Sequence, residues 1–358
     1  MADKWTVVDD EGNALTKKSE GYWSAFHDGY AVATLAGEYN YIDPKGEVLS
    51  ETNFTEADSF LDGLAKVKTA DGYNYITTDG ALLSETSYQR LGDFINGAAR
   101  AQNTDGTWTL LREDGTTVGN FAAITIPFNG FANALQDGKW YAVKVEDGTV
   151  IGDGFREIGI FSGTDGIAAV RVDEETTDEE GNDTSTPAFS YIITDGTRLT
   201  EETFTAASDF TGGYAHVTKT DGLQYILKGD GTYMTNTGYP FVDDVIGGLA
   251  RVRTGKQAWN ILKDDGTFLL DTDVQRLCAP SCGFYRCVAA DGVYNYILPD
   301  GAYLSATGFE DARDFTFTVE NGEAVPYAQV KADGTWYVIN ATGEVVDELE
   351  EESSEEEA

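Results

Sequence analysis

The sequence predicts an all-β protein, a tandem array of about nine three-stranded antiparallel β-meander repeats of about 35 residues, arranged as an open or nearly closed superhelix. Three observations support this. A turn glycine recurs at Gly12, Gly46, Gly80, Gly115, Gly148, Gly196, Gly231, Gly266, Gly301 and Gly343, at intervals of 34, 34, 35, 33, 48, 35, 35, 35 and 42 residues. A second glycine series runs parallel to it, at Gly29, Gly63, Gly97, Gly130, Gly166, Gly213, Gly248, Gly283 and Gly322. The composition, with 40 Gly, 7 Pro, 18 Phe and 19 Tyr in 358 residues, fits frequent tight turns around an aromatic core.

Residues 60–94 show how each element arises. Ala65 and Val67 alternate with Lys66 and Lys68, the period of a strand with one buried face. Asp71-Gly72 then matches the Asp-Gly signal of a type I′ hairpin turn. Tyr73, Tyr75 and Ile76 form an aromatic strand, Asp79-Gly80 turns the chain again, and Leu82 and Leu83 begin a short third strand. The remainder, from Ser84 through Tyr88 and Leu91 to Phe94, leads to the next repeat as a loop or a short helical turn.

Aromatic and small anchors recur in this connection at Phe54, Ala57 and Phe60, at Phe204, Ala207 and Phe210, and at Phe309, Ala312 and Phe315. Their spacing assigns them to packing between neighbouring repeats. Trp5, Trp108, Trp140, Trp259 and Trp336 fall in the aromatic strand, where other repeats carry Tyr39 or Tyr73. Exchange of Trp for Tyr predicts a half-buried ring with its polar edge in contact with water or a carbonyl.

These segments resemble the WG-containing repeat of bacterial proteins, also called the KWG repeat. "FHDGYAVATLAGEYNYIDPKG" at 26–46 and "FLDGLAKVKTADGYNYITTDG" at 60–80 carry the resemblance best, and "DKWTVVDDEG", "GKWYAVKVEDG" and "GTWYVINATG" keep its tryptophan. It extends over about residues 3–346. The glycine that follows tryptophan in the family is replaced by Thr6, Thr109, Tyr141, Asn260 and Tyr337. The resemblance implies a β-repeat scaffold and no reaction.

The expected organisation is a repeat array over 1–346, with a partial N-terminal repeat at 3–15 and an acidic loop insertion at 173–189, followed by a disordered acidic tail at 347–358. A closed, propeller-like ring is the alternative. In that case the small residues of the first strands (Ala31 and Ala33, Ala99 and Ala101, Ala132 and Ala134, Ala215, Ala250) face a crowded axis. Nine full repeats plus a fragment exceed the usual 4 to 8 blades, which favours the open array.

The chain carries 62 acidic and 24 basic residues, a net charge of -38. Eight of the acids lie in 347–357 and seven in 173–183, so the remaining array still holds 47 acids against 24 bases. Such a surface opposes nucleic acid and anionic membranes, favours basic partners and promotes solubility. No long apolar run and no apolar segment behind a basic start are present, so a cytoplasmic location is expected, or a secreted one if the N-terminus has been trimmed.

Residues able to support catalysis or metal binding are sparse. The GxSxG, HExxH, P-loop and GxGxxG patterns are absent. Cys278, Cys282 and Cys287 suit reduced thiols better than a zinc site, because no second Cys or His pair accompanies them. The Asp-Gly pairs read as turns, since they lack the ligand spacing of a calcium loop. His216 occupies the slot that holds Lys66 or Arg251 elsewhere and reads as an ordinary surface residue.

The expected function is a non-enzymatic scaffold without cofactor or metal that binds a protein or peptide, with basic partners favoured by the charge. Carbohydrate or cell-wall binding through exposed repeat aromatics is the alternative. Among the residues that repetition alone does not demand, Trp23, Arg251, Arg253 and Arg286 are the candidate binding residues.

Overall fold

The computed structural model describes residues 4–5, 19–20, 24–35, 37–163, 165–177, 183–320 and 322–349. Every regular element among them is a β-strand, and the sheets are small and antiparallel. The chain divides into two compact units. One comprises Met1–Gly163, Val170–Val172 and Ile192–Thr197; the other comprises Thr164–Ala169, Asp173–Tyr191 and Arg198–Ala358.

In the first unit, Glu56–Ala57, Leu64–Thr69 and Gly72–Thr77 form one sheet. Arg90–Leu91, Ala98–Gln102, Trp108–Arg112 and Thr117–Phe121 form the next, and Ala123–Ile124, Phe131–Gln136, Lys139–Lys144 and Val150–Phe155 follow. In the second unit the pattern resumes with Ala206–Ala207, Tyr214–Thr218 and Gln224–Lys228, then Phe241–Val242, Leu249–Gly255 and Ala258–Lys263.

The strands are not quite those that the spacing predicts. The connection between repeats is neither a plain loop nor a helical turn: Glu56 and Ala57 pair with Lys68 and Val67 of the repeat that follows them. The expected third strand often shrinks to a single bridge, as in Ile76↔Leu82. Buried asparagines accompany this in four repeats, although at Tyr225 the third strand also shrinks, to the bridge Leu227↔Tyr233. Asn74, fully buried, donates from Nδ2 to the carbonyls of Ser84 and Thr86 and accepts the Ser84 amide at Oδ1, taking over groups that a third strand would pair in the ladder. Asn40, Asn260 and Asn295 hold Ser50, Leu270 and Ser305 in the same way. Where Thr109, Tyr141 or Tyr337 takes that slot, a full third strand forms, at Thr117–Phe121, Val150–Phe155 and Val345–Leu349.

The type I′ turn stands at the predicted place in Asp137-Gly138 and Asp333-Gly334, but in residues 60–94 it lies elsewhere. Both corner residues have positive φ at Asp62-Gly63 (51° and 82°), Asn96-Gly97 (50° and 85°) and Asn129-Gly130 (49° and 79°), immediately before each first strand. At Asp71-Gly72 only the glycine has positive φ, because Thr69↔Gly72 closes the hairpin and Ala70 and Asp71 form its corners. The second turn is a type I turn ending in a left-handed glycine bulge: the Gly115 amide donates to the Arg112 carbonyl and the Arg112 amide to that of Thr116. The preceding Asp114 accepts the Thr116 amide and hydroxyl, which holds its carboxyl below the usual range and explains the recurrent Asp-Gly as a turn device.

Core clusters are shared by consecutive repeats. Tyr41 and Phe54 of one repeat meet Phe60, Ala65, Val67 and Ile76 of the next. In the second unit, Tyr296 meets Ala312, Phe315, Ala328, Val330 and Ile339. The predicted anchors Phe54, Phe60, Phe204, Phe210 and Phe315 are all buried. The buried tyrosines add a polar lock: the hydroxyls of Tyr41, Tyr75 and Tyr191 donate to the carbonyls of Asp58, Gly92 and Ser208, each 17 residues ahead, at 2.6–2.8 Å.

Two of the expected boundaries change. Within the acidic insertion, Glu174–Thr177 and Asp183–Thr186 form an antiparallel ribbon in place of a plain loop. The last strand continues into the expected tail as far as Leu349, which pairs with Trp336. Residues 350–358, and all of the partial N-terminal repeat except Lys4–Trp5, lie outside the described residues.

Candidate binding surface

Three type I′ turns of the first unit are flanked by a bridged apolar pair, Leu61↔Leu64, Ile95↔Ala98 and Phe128↔Phe131, whereas the turn Asp28-Gly29 carries His27↔Tyr30. The leading member of each pair points into solvent, with Leu61 75%, Ile95 42% and Phe128 45% exposed. They recur 34 and 33 residues apart, so one register position presents an apolar side chain from three consecutive repeats.

The left-handed corner residues hold these turns in register. Asp28 Oδ2 accepts the Gly63 amide at 2.9 Å, Asn96 Nδ2 donates to the Pro127 carbonyl at 3.0 Å, and Asn129 Nδ2 donates to the Phe161 carbonyl at 3.0 Å. Asp and Asn tolerate positive φ, and their short side chains reach the neighbouring turn, so one residue both shapes its turn and ties it to the next.

A groove of about 630 Å³ opens beside Leu61, lined by Asp58, Asp62, Asp93, Glu113 and Lys66 over an apolar floor of Leu64, Tyr75 and Phe94. Lys66 Nζ lies 2.8 Å from Asp93 and 3.6 Å from Asp58. Partial burial pulls the ammonium down, but the Asp93 hydrogen bond and the charges of Asp93 and Asp58 outweigh it, leaving the group above the usual lysine range. Four carboxylates against one engaged ammonium leave the groove electronegative.

The sequence-predicted residues lie elsewhere. Trp23 falls outside the described residues. Arg251 donates from Nε to Asp243 at 2.8 Å and from Nη1 to the Leu277 carbonyl at 2.7 Å. Arg286 donates from Nε to Asp314 at 2.7 Å and from Nη1 to the Ala312 carbonyl at 2.9 Å. Arg253 stands two residues beyond Arg251, opposite Phe241 and Trp259, with a buried Nε that has no hydrogen-bond partner.

Arg251 and Arg286 thus each tie their repeat to the next. Their slot, midway along the first strand, also reaches the next repeat from Arg100, Asn133 and Lys66, and holds Val32 and Ala169 in two other repeats. Arg100 donates to Ile124, Asn133 donates to Ile158 and Gly159, and Lys66 pairs with Asp93. His216 occupies the same slot, with Nε2 3.2 Å from Asp244.

Sequence reasoning missed two features. Leu61, Ile95 and Phe128 were legible as apolar residues directly before the corner pair at repeat spacing. The buried asparagines were legible as a recurrent "YN" or "WN" in the aromatic strand.

The tryptophans are half-buried at Trp108, Trp140, Trp259 and Trp336. Arg100, Arg251 and Arg313 lie 5.4, 5.9 and 5.0 Å from the rings of Trp108, Trp259 and Trp336, occupying faces that a sugar would stack on. Burial pushes the Cys287 thiol up to about 12, and Cys282 Sγ donates to the Phe315 carbonyl. Among the described residues no three His, Cys, Asp or Glu side chains gather as a metal site.

Residues 41–73 match the family model of the WG containing repeat, as the resemblance implied. No curated protein matches the chain. Similar solved structures include a eukaryotic initiation factor, at 12% identity over 89% of this chain and 94% of that chain with a TM-score of 0.35. BamB from Moraxella catarrhalis is similar at 15% identity over 77% and 96%, with a TM-score of 0.26. The WD40 β-propeller domain of Doa1 is similar at 10% identity over 69% and 93%, with a TM-score of 0.23. None of these carries a functional inference.

Proposed function

We propose that this chain, which carries the WG containing repeat, is a non-enzymatic scaffold that binds a basic protein segment along the row Leu61, Ile95 and Phe128. The observation that supports this reading is the combination of three exposed apolar side chains in one register and an adjoining electronegative groove. Apolar contact supplies the affinity, while the carboxylates of Asp58, Asp62, Asp93 and Glu113 select cationic partners and speed their encounter. Glycan binding through the repeat aromatics has less support, because arginines lie against Trp108, Trp259 and Trp336.

The test is affinity capture from native lysate with the full chain and with a Leu61→Ser, Ile95→Ser, Phe128→Ser variant, each washed at low and high salt. The expected result is a defined set of proteins that resists salt on the wild type and is lost from the variant. Capture of the same proteins by both chains would remove the row from consideration.

A further inference from the structure

The last repeat departs from the others where the repeat has no need of extra chain. Its turn glycines, Gly301 and Gly343, are 42 residues apart, and the added residues build an arm. Strand Thr316–Glu320 pairs with the start of Glu323–Ala332 in the register Thr316↔Tyr327, Phe317↔Pro326, Thr318↔Val325, Val319↔Ala324 and Glu320↔Glu323. The arm springs from the buried anchor Phe315, whose carbonyl accepts the Ser281 hydroxyl at 2.6 Å.

One edge of this arm is open. Residues flanking a two-residue hairpin connection exchange hydrogen bonds, and the pattern then alternates along the strand. Glu320, Thr318 and Thr316 therefore bond inward, while Phe317 and Val319 turn their amide and carbonyl groups to the outer edge. Among the described residues no other strand pairs there. The opposite edge is poorer, since Pro326 has no amide hydrogen and the neighbouring strand Thr335–Asn340 already takes that edge as far as Tyr327. Neither lysine, proline nor a bulge guards the open edge.

The side chains indicate the occupant. Phe317 and Val319, 61% and 75% exposed, share one face with Pro326 and Ala324. On the other face Glu320 accepts the Tyr327 hydroxyl at 2.9 Å and stands directly opposite Glu323, and no basic group of the described residues pairs with either. Like charges facing each other across a ladder destabilise it, and a cation from outside relieves this. A second copy of this chain, at a net charge of -38, would bring more carboxylates to the same place.

We propose that the open edge of Thr316–Glu320 takes up an extended segment of a partner protein as an added β-strand, in which apolar residues alternate with Lys or Arg. The apolar residues lie beside Phe317 and Val319, and the cations lie beside Glu320 and within reach of Glu323. This site is independent of the Leu61 row.

The test uses the full chain and a fluorescein-labelled decapeptide that alternates Val with Lys, followed by fluorescence polarisation. Saturable binding is expected, weakened on the order of ten-fold or more by Val319→Pro, which deletes an outward amide, and by N-methylation of alternate amides in the peptide. Glu320→Lys should weaken it similarly, and a Val/Glu peptide should not bind. Circular dichroism and melting of Val319→Pro should match wild type, because the arm lies outside the core. Equal binding by Val319→Pro or by the N-methylated peptide would mean charge attraction alone and would overturn the proposal, as would non-saturable binding. Dimerisation of the free chain that Val319→Pro abolishes would assign the edge to a second copy and also overturn it.

Discussion

Asn74 holds both backbone groups of Ser84, ten residues further along the chain: its Nδ2 donates to the Ser84 carbonyl at 2.7 Å and its Oδ1 accepts the Ser84 amide at 3.2 Å. The same Oδ1 accepts the Tyr75 amide at 2.8 Å. A side chain thus substitutes for a strand, and its slot is where the family carries the glycine after its tryptophan. Asparagine makes the slot a node between the aromatic strand and the connection to the next repeat.

Replacing Asn74 with Ala leaves the buried Ser84 amide and carbonyl without partners, which costs about 2–4 kcal/mol. The denaturant midpoint should fall accordingly, with the slope unchanged. A shift within error of zero would mean that water or a local rearrangement takes over both groups.

Gly115 and Gly63 share a φ of +82° but differ in surroundings. A Cβ at Gly115 would lie 2.2 Å from the Leu83 carbonyl of the preceding repeat, whereas at Gly63 nothing lies within 4 Å. Gly63→Ala should lose only the left-handed backbone penalty, about 1–2 kcal/mol. Gly115→Ala should lose at least about 1–2 kcal/mol more, because two repeats must separate. Equal melting points for the two variants would contradict the role of the turn glycine as a joint between repeats.

Alkaline pH should unfold the protein steeply. Burial pushes the phenols of Tyr41, Tyr75, Tyr191 and Tyr296 above the usual tyrosine range, aided by the carboxylates nearby. The unfolded chain releases these protons near pH 10 while the folded chain retains them, so stability is complete below about pH 10 and declines above it. Each tyrosine contributes up to about 1.4 kcal/mol per pH unit to that decline. Tyrosinate absorbance and circular dichroism should change together, and Tyr75→Phe should make the transition shallower. Ionisation of all tyrosines near pH 10 with the fold intact would rule this out.

Arg251→Met removes a donor from the Leu277 carbonyl and a partner from Asp243, so it should destabilise the chain by about 1–3 kcal/mol. If the arginine instead serves a binding partner, capture from lysate should fall while the melting curve stays in place. Running both assays on this variant, and on Arg286→Met, separates structural from recognition roles.

The repeat period, the all-β class, the buried alternation of Ala65 and Val67 and the anchors at Phe54 and Phe60 were all legible in the sequence. Turns and strand faces depend on φ and on alternation, which neighbouring residues encode locally. Tertiary structure decided which distant group each side chain meets. Tyr75 reaches Gly92, Arg251 reaches Leu277, and Asn74 replaces a strand that Thr109 allows. It also decided that Leu61, Ile95 and Phe128 face water while equally apolar neighbours are buried, because exposure depends on how one repeat stacks on the next and no local pattern specifies that stacking.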